Sequence, residues 1–194
     1  MAAPIIAVCC SGQGTNFQAI VGAIRRGRLK ARIGVMVSDN PGAYAIYRAM
    51  KAGVPAVVID PRRFSSRQAF DRALSRVIEL KRARLIVLAG FMRILSPWFV
   101  RRHPGRILNI HPALLPAFPG THAVRDALRK KVKVTGVTVH FVDEQVDHGP
   151  ILLQRPVSIR PGDTEAALLN RIHRVEHQIY PEAIQKVLNG FGRS

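Results

Sequence analysis

Two side chains that could steady a negative charge and move a proton stand two positions apart in Arg106-Ile107-Leu108-Asn109-Ile110-His111-Pro112-Ala113-Leu114-Leu115-Pro116. The carboxamide of Asn109 is a neutral donor, and the imidazole of His111 titrates near neutral pH. Ile107, Leu108 and Ile110 supply the bulk of a buried strand. Pro112, which cannot donate to a sheet ladder, must end it. Positions i and i+2 of a strand share a face. One face of this strand end therefore presents a donor beside a titratable group, as stabilising an oxyanion and transferring a proton require. The plain alternative is a turn-capping Asn109 and a satisfied, half-buried His111, so the pair needs support from the rest of the chain.

Strands and helices alternate around that stretch. Apolar runs predict strands over 5–10, 31–38, 56–59, 85–89, 134–141 and 151–159. Helical periodicity predicts helices ending near residue 26 and spanning 44–52, 66–81 and 123–130, then a long closing helix over 163–189, bent or broken at Pro181. This order predicts an α/β fold, a doubly wound, mostly parallel sheet with a mixed far edge, in one domain. In such sheets ligands lie beyond the carboxyl ends of strands.

Three further stretches sit at predicted strand ends. Ser11-Gly12-Gln13-Gly14-Thr15-Asn16 has the glycines and the helix start of a phosphate cradle. Phe17 occupies the third glycine position of a dinucleotide fingerprint, although Asp39 keeps a dehydrogenase reading open, and no Gly-Lys-Ser/Thr follows to make a Walker loop. Ala89-Gly90-Phe91-Met92-Arg93-Ile94-Leu95 could wall a flat apolar ligand or be ordinary core. Val139 to Pro150 is a hairpin-like link carrying Asp143, Glu144 and Asp147. A carboxylate there facing His111 would orient the imidazole and favour its charged form. The acidic spacing does not suit calcium.

Composition narrows the class. At 47% hydrophobic and 22% charged, the 194 residues are ordinary for a globular domain, whereas the net charge of +18 suits an anionic ligand or nucleic acid. The basic residues are scattered, with only short runs such as Arg25-Arg26 and Lys130-Lys131. Cys9 and Cys10 are adjacent on one strand and badly placed to bridge, so a reduced, cytoplasmic setting is expected. The chain starts with a core strand and not a signal peptide, and Arg93 interrupts its best candidate for a membrane span.

Taken together, Ser11 to Asn16, Leu88 to Leu95, Asn109 to Pro116 and Asp147-His148-Gly149-Pro150 resemble the formyltetrahydrofolate-dependent formyltransferase family, and within it the phosphoribosylglycinamide formyltransferases. The resemblance spans nearly the whole chain and implies a Rossmann-like formyltransferase fold. Residues 1–103 would form a phosphate-binding half, and residues 104–194 a catalytic and folate-binding half. It implies Asn109, His111 and Asp147 as the catalytic trio. Gly14, Thr15 and Asn16 would hold the substrate phosphate, and His173, Arg174, Val175 and Glu176 would add substrate contacts. Arg67, Met92, Arg93, Ile94, Leu95, Asn109, Asp143, Glu144, Gln145, Val146 and Asp147 would line the folate site. The co-substrate would be 10-formyltetrahydrofolate and the acceptor glycinamide ribonucleotide. No metal, nucleic acid or membrane is expected, and the enzyme would be a monomer or homodimer.

Two positions depart from the family pattern. His173 stands where an uncharged polar residue is expected, and Ala117 where a lysine often follows the catalytic histidine. A sister hydrolase or a tRNA formyltransferase would keep the same trio, but would usually carry an added amino-terminal or carboxy-terminal domain. A nucleotide- or RNA-binding module would explain the charge but have no use for Asn109 and His111 on one strand face.

Overall fold

The computed structural model describes residues 3–191. Seven strands form one sheet in the order β3-β2-β1-β4-β5-β6-β7. They are β1 (Ile5–Cys9), β2 (Arg32–Ser38), β3 (Ala56–Val58), β4 (Leu85–Leu88), β5 (Ile107–His111), β6 (Val134–Phe141) and β7 (Ile151–Ser158). Strands β1 to β5 run parallel, β6 is antiparallel to β5, and β7 is antiparallel to β6. This is the expected doubly wound sheet with a mixed edge.

Helices cover both faces: α1 (Thr15–Arg25), α2 (Tyr44–Ala52), α3 (Arg67–Leu80), α4 (Pro97–Arg102), α5 (Ala123–Arg129) and α6 (Glu165–Gly190). On one face Val8, Val87, Leu108 and Ile110 pack with Phe17 of α1 and Ile172, Ile179 and Ile184 of α6. On the other, Ala7, Cys9, Ile86 and Ile107 pack with Phe70 and Leu74 of α3 and Phe99 of α4. Ile107 and Leu108 thus face opposite layers, and Asn109 and His111 continue the Ile107 face. Both cysteines are free and buried.

The closing helix is not broken. Pro181 lies inside α6, which runs for 26 residues, its first turn capped by the Thr164 hydroxyl accepting from the Ala167 N–H. The proline costs one helical hydrogen bond, which the burial of Ile179, Tyr180, Ala183 and Ile184 outweighs. Strand β1 ends one residue earlier than expected, at Cys9. Helix α4 was not among the expected elements, although Ser96 caps it and Pro97 opens it, a standard start signal. No described helix is long and apolar enough to cross a membrane.

Candidate active site

Strand β5 stops where Pro112 requires it to. The chain beyond is tied back to the sheet: Thr138 Oγ1 donates to the Ala113 carbonyl at 2.6 Å and accepts from the Leu115 N–H at 3.0 Å. Antiparallel pairing with β6 sets Asn109 opposite His140 and His111 opposite Thr138. Asn109 also pairs with Leu88, the last residue of β4, so it sits at the middle of its own strand but beside the end of its neighbour.

Asp147 gathers these side chains. Its Oδ1 accepts from Asn109 Nδ2 at 3.4 Å and lies 3.7 Å from His140 Nε2. Its Oδ2 accepts from the Gly120 N–H at 2.8 Å and lies 3.3 Å from His111 Nδ1. Asp147 reaches this position because the link between β6 and β7 folds back over Phe141. A side chain at Gly149 would collide with the Phe141 carbonyl. Burial raises the Asp147 pKa, but contacts with His140, the Gly120 N–H and His111 outweigh it and hold the carboxyl below its ordinary range.

His111 is flanked by acceptors. Nε2 donates to the Phe118 carbonyl at 2.8 Å, while Nδ1 faces Asp147. Only the doubly protonated ring would serve both. Burial opposes that cation and sets the direction: the His111 pKa lies below the ordinary histidine value, with Asp147 and the Phe118 carbonyl pulling it back up and His140 adding to the depression. Asp147 favours the charged ring, as expected, but does not hold it charged against burial. The carboxylate acts in the expected direction, but desolvation of a side chain only 4% exposed is the larger effect.

His140, which lies in the stretch from Val139 to Pro150 and is assigned no role by the sequence, belongs to the cluster. Its Nδ1 donates to the Phe141 carbonyl at 2.8 Å, leaving Nε2 to accept from Asn109 Nδ2 at 3.2 Å. The signal that could have found it is the one titratable side chain on β6, once that strand is paired in register with β5.

The remaining residues of the predicted site divide into two groups. In the first, Asn16 of α1 donates from Nδ2 to Glu176 Oε2 of α6 at 2.9 Å, and His173 Nε2 lies 4.0 Å from the same oxygen. Burial raises the Glu176 pKa, against the pull of Asn16 and His173. Among the described residues Asn16 Oδ1 and His177 Nε2 are buried without a partner, polar atoms that a ligand could satisfy. Gly14 caps α1 at φ 68°, and a Cβ there would come within 2.7 Å of the Ala45 Cβ. Helix packing therefore requires this glycine whether or not a phosphate binds. Thr15 is half-buried; Arg174 is exposed, and Val175 packs toward the core.

In the second group, Met92, Ile94 and Val146 are 67%, 59% and 53% exposed, an uncovered apolar lip, whereas Leu95 is buried in the core. The Arg93 guanidinium lies 5.0 Å over the Phe70 ring, with its Nε buried and unpartnered. Arg67 is exposed at the start of α3, and Gln145 and Ala117 are exposed. Asp143 is engaged by His148 and Glu144 by Arg101, which leaves Asp147 as the acid of this link that meets Asn109 and His111. The described residues hold no group of three His, Cys, Asp or Glu placed for a metal.

Comparison with known proteins decides the family. The formyl transferase model matches residues 5–184. The chain belongs to the formyl transferase family. It is 41% identical to the phosphoribosylglycinamide formyltransferase of Bacillus subtilis (strain 168), over 94% of this chain and 93% of that one. It is 45% identical to the trifunctional purine biosynthetic protein adenosine-3 of Drosophila melanogaster over 95% of its own length, and spans only 14% of that longer protein. The crystal structure of glycinamide ribonucleotide transformylase 1 from Symbiobacterium toebii superposes with a TM-score of 0.95 at 48% identity, covering 97% of this chain and 89% of that one. The formyltransferase fold expected from the sequence is thereby established.

Proposed function

We infer that this formyl transferase moves a formyl group from 10-formyltetrahydrofolate to the amine of glycinamide ribonucleotide, a step of de novo purine synthesis. The observation that carries the reading is the convergence of Asn109, His111 and His140 on the two oxygens of Asp147.

The roles follow from that geometry. Asn109 donates to the oxygen that gathers charge as the amine attacks the formyl carbon, the kind of preorganised contact worth roughly 3–4 kcal/mol. His111 is the second donor and the proton carrier. Asp147 fixes the ring and offsets part of the cost of its buried cation. His140 takes one amide hydrogen of Asn109 and so sets which way the carboxamide points. In the unliganded arrangement Asn109 Nδ2 is shared between His140 and Asp147 and His111 Nε2 is committed to the Phe118 carbonyl, so donation to the formyl oxygen requires the Asp147 and Phe118 contacts to be exchanged. The attacking amine gives up a proton and the departing folate nitrogen gains one, with His111 between them. The co-substrate supplies the formyl group. Met92, Ile94 and Val146 would cover its flat apolar part, with the buried Arg93 Nε available to a polar edge. Asn16, Glu176 and His173 would hold the ribonucleotide. A reducing, cytoplasmic setting fits the two free thiols.

A spectrophotometric assay with a formyl-folate analogue tests the assignment. Folate release should require glycinamide ribonucleotide and match the formylated product one for one. Steady release without the ribonucleotide would make the protein a hydrolase of the same family.

A further inference from the structure

We propose that the end of the sheet remote from the catalytic cluster carries a second binding site, for a small multivalent oxyanion of di- or triphosphate size. A cleft of about 510 Å³ opens there, lined by Glu79, Arg82, Ala83, Arg84, Arg106 and Phe191. This is within the range of small-molecule pockets, roughly 300–1,000 Å³. Arg84 and Arg106 each stand one residue before adjacent parallel strands, β4 and β5, and the Arg106 guanidinium reaches across to the Arg84 backbone. His111 ends β5, five residues and roughly 16 Å beyond Arg106 at the usual rise per residue.

The guanidinium groups are held and not merely solvated. Arg106 donates from Nε to the Arg84 carbonyl at 3.1 Å and from Nη2 to the Ala83 carbonyl. Arg84 donates from Nη2 to the Phe191 carbonyl at 3.2 Å, and its Cζ lies 5.3 Å over the Phe191 ring. Part of what Arg106 does is structural, since it satisfies carbonyls left open after α3. Arg84 does the same for the Phe191 carbonyl at the end of α6, whereas Arg82, which belongs to neither cap, lines the cleft from an exposed turn at φ 51°.

The donor and acceptor inventory identifies the ligand chemistry. The Ala83, Arg84 and Phe191 carbonyls already accept from guanidinium groups. Glu79, the one carboxylate among the described residues of the lining, already accepts from Arg102 Nε at 2.9 Å and from Ser75 Oγ at 3.3 Å, and the Arg102 contact leads in lowering its pKa. What the cleft has left to offer is chiefly N–H donors and positive charge, arranged in forks that suit phosphate oxygens. Preorganised side chains lose less freedom on binding than flexible ones. Arg84 already covers a face of the aromatic ring, which disfavours base stacking, so recognition rests on phosphate and not on a nucleobase.

Calorimetric titration of the whole protein with inorganic tripolyphosphate near physiological salt tests this. Saturable binding is expected, with a nucleoside triphosphate binding within about threefold of tripolyphosphate because the base is not read. Arg82→Gln is exposed and should spare the fold, yet weaken binding about tenfold, as loss of one charge-assisted hydrogen bond does. Arg82→Gln with Arg84→Gln should abolish it. Two controls separate this cleft from its rivals. Lys51→Gln with Lys133→Gln removes the same charge from exposed positions elsewhere, and Asn16→Ala alters the candidate ribonucleotide pocket; each should leave the affinity within twofold. The proposal fails if Arg82→Gln binds like the parent, if the lysine control loses as much as the double arginine variant, or if Asn16→Ala removes the binding.

Discussion

His103 and His111 bracket β5, and both are nearly inaccessible, at 1% and 4% exposed. They differ in what surrounds them. His103 follows α4, its Nε2 within 2.9 Å of Ser75 Oγ and its Nδ1 unpartnered. Burial, reinforced by Arg106 and Arg102 and only partly opposed by Glu79, pushes its pKa down to about 4. His111 suffers the same desolvation, but a carboxylate faces one nitrogen and a carbonyl the other. Burial alone silences an imidazole near neutral pH. Burial with a carboxylate in contact leaves it depressed yet within reach of protonation once an oxyanion forms beside it. The two rings show that a buried histidine is chemically informative only through its partners.

The largest effect expected of this contrast is on turnover. Asn109→Ala or His111→Ala should lower kcat by roughly two to three orders of magnitude, as loss of a preorganised donor does, while His103→Gln should leave kcat within about twofold. Initial-rate kinetics on the three folded proteins would decide it; near-normal turnover in either of the first two removes the assignment.

Next in size is a pH effect on stability. His103 binds its proton in the unfolded chain near pH 6.5 but in the folded protein only near pH 4. Its neutral burial therefore costs nothing above about pH 6.5, and stability falls as pH drops toward 4, by about 3 kcal/mol for a shift of this size. Urea unfolding between pH 7 and 4 should show a slope that His103→Gln removes. An unchanged slope would mean that the ring is solvated.

A smaller effect sharpens the contrast at His111. Asp147→Asn keeps the shape and removes the charge that raises the His111 pKa. The imidazole should then lose its proton at lower pH than in the parent, and the alkaline limb of the kcat profile should move toward acid. NMR titration of the ring in both proteins measures this. A midpoint that stays put, or rises, would assign Asp147 to shaping the loop instead.

Contacts away from both histidines should move affinity more than turnover. Asn16→Ala should raise KM for the ribonucleotide about tenfold, the worth of one buried hydrogen bond to a charged group. Ile94→Ala, on the exposed lip, should raise KM for the formyl donor only severalfold, and as a surface change should shift stability by less than about 0.5 kcal/mol. A kcat loss exceeding the KM change in either would draw that residue into the chemistry.

Much of this arrangement was legible in the sequence because it is local. Pro112 ends β5, the i, i+2 spacing puts Asn109 and His111 on one face, and the apolar run of β4 marks a strand covered on both sides. What was not legible depends on register or on closure through space. His140 becomes a partner of Asn109 only when β6 is aligned antiparallel to β5. The carbonyl that holds His111 belongs to Phe118, which adopts φ 55°, a conformation that no pattern of residue types announces. Pro181 misleads because its local cost is visible while the packing that outweighs it comes from both strands and helices.

The hydroxyl of Tyr180 donates to the carbonyls of Leu88 and Leu108, where β4 ends and one residue before Asn109. Glu176 precedes Tyr180 by one helical turn, so the contact that would grip the ribonucleotide and the donor that would meet the formyl oxygen are dimensioned from a single phenol. A one-residue insertion between Glu176 and Tyr180 would rotate the carboxylate by about 100° around α6 and carry it away from Asn16. That one turn of helix is a fixed gauge. An attempt to re-engineer the acceptor substrate would have to leave it intact.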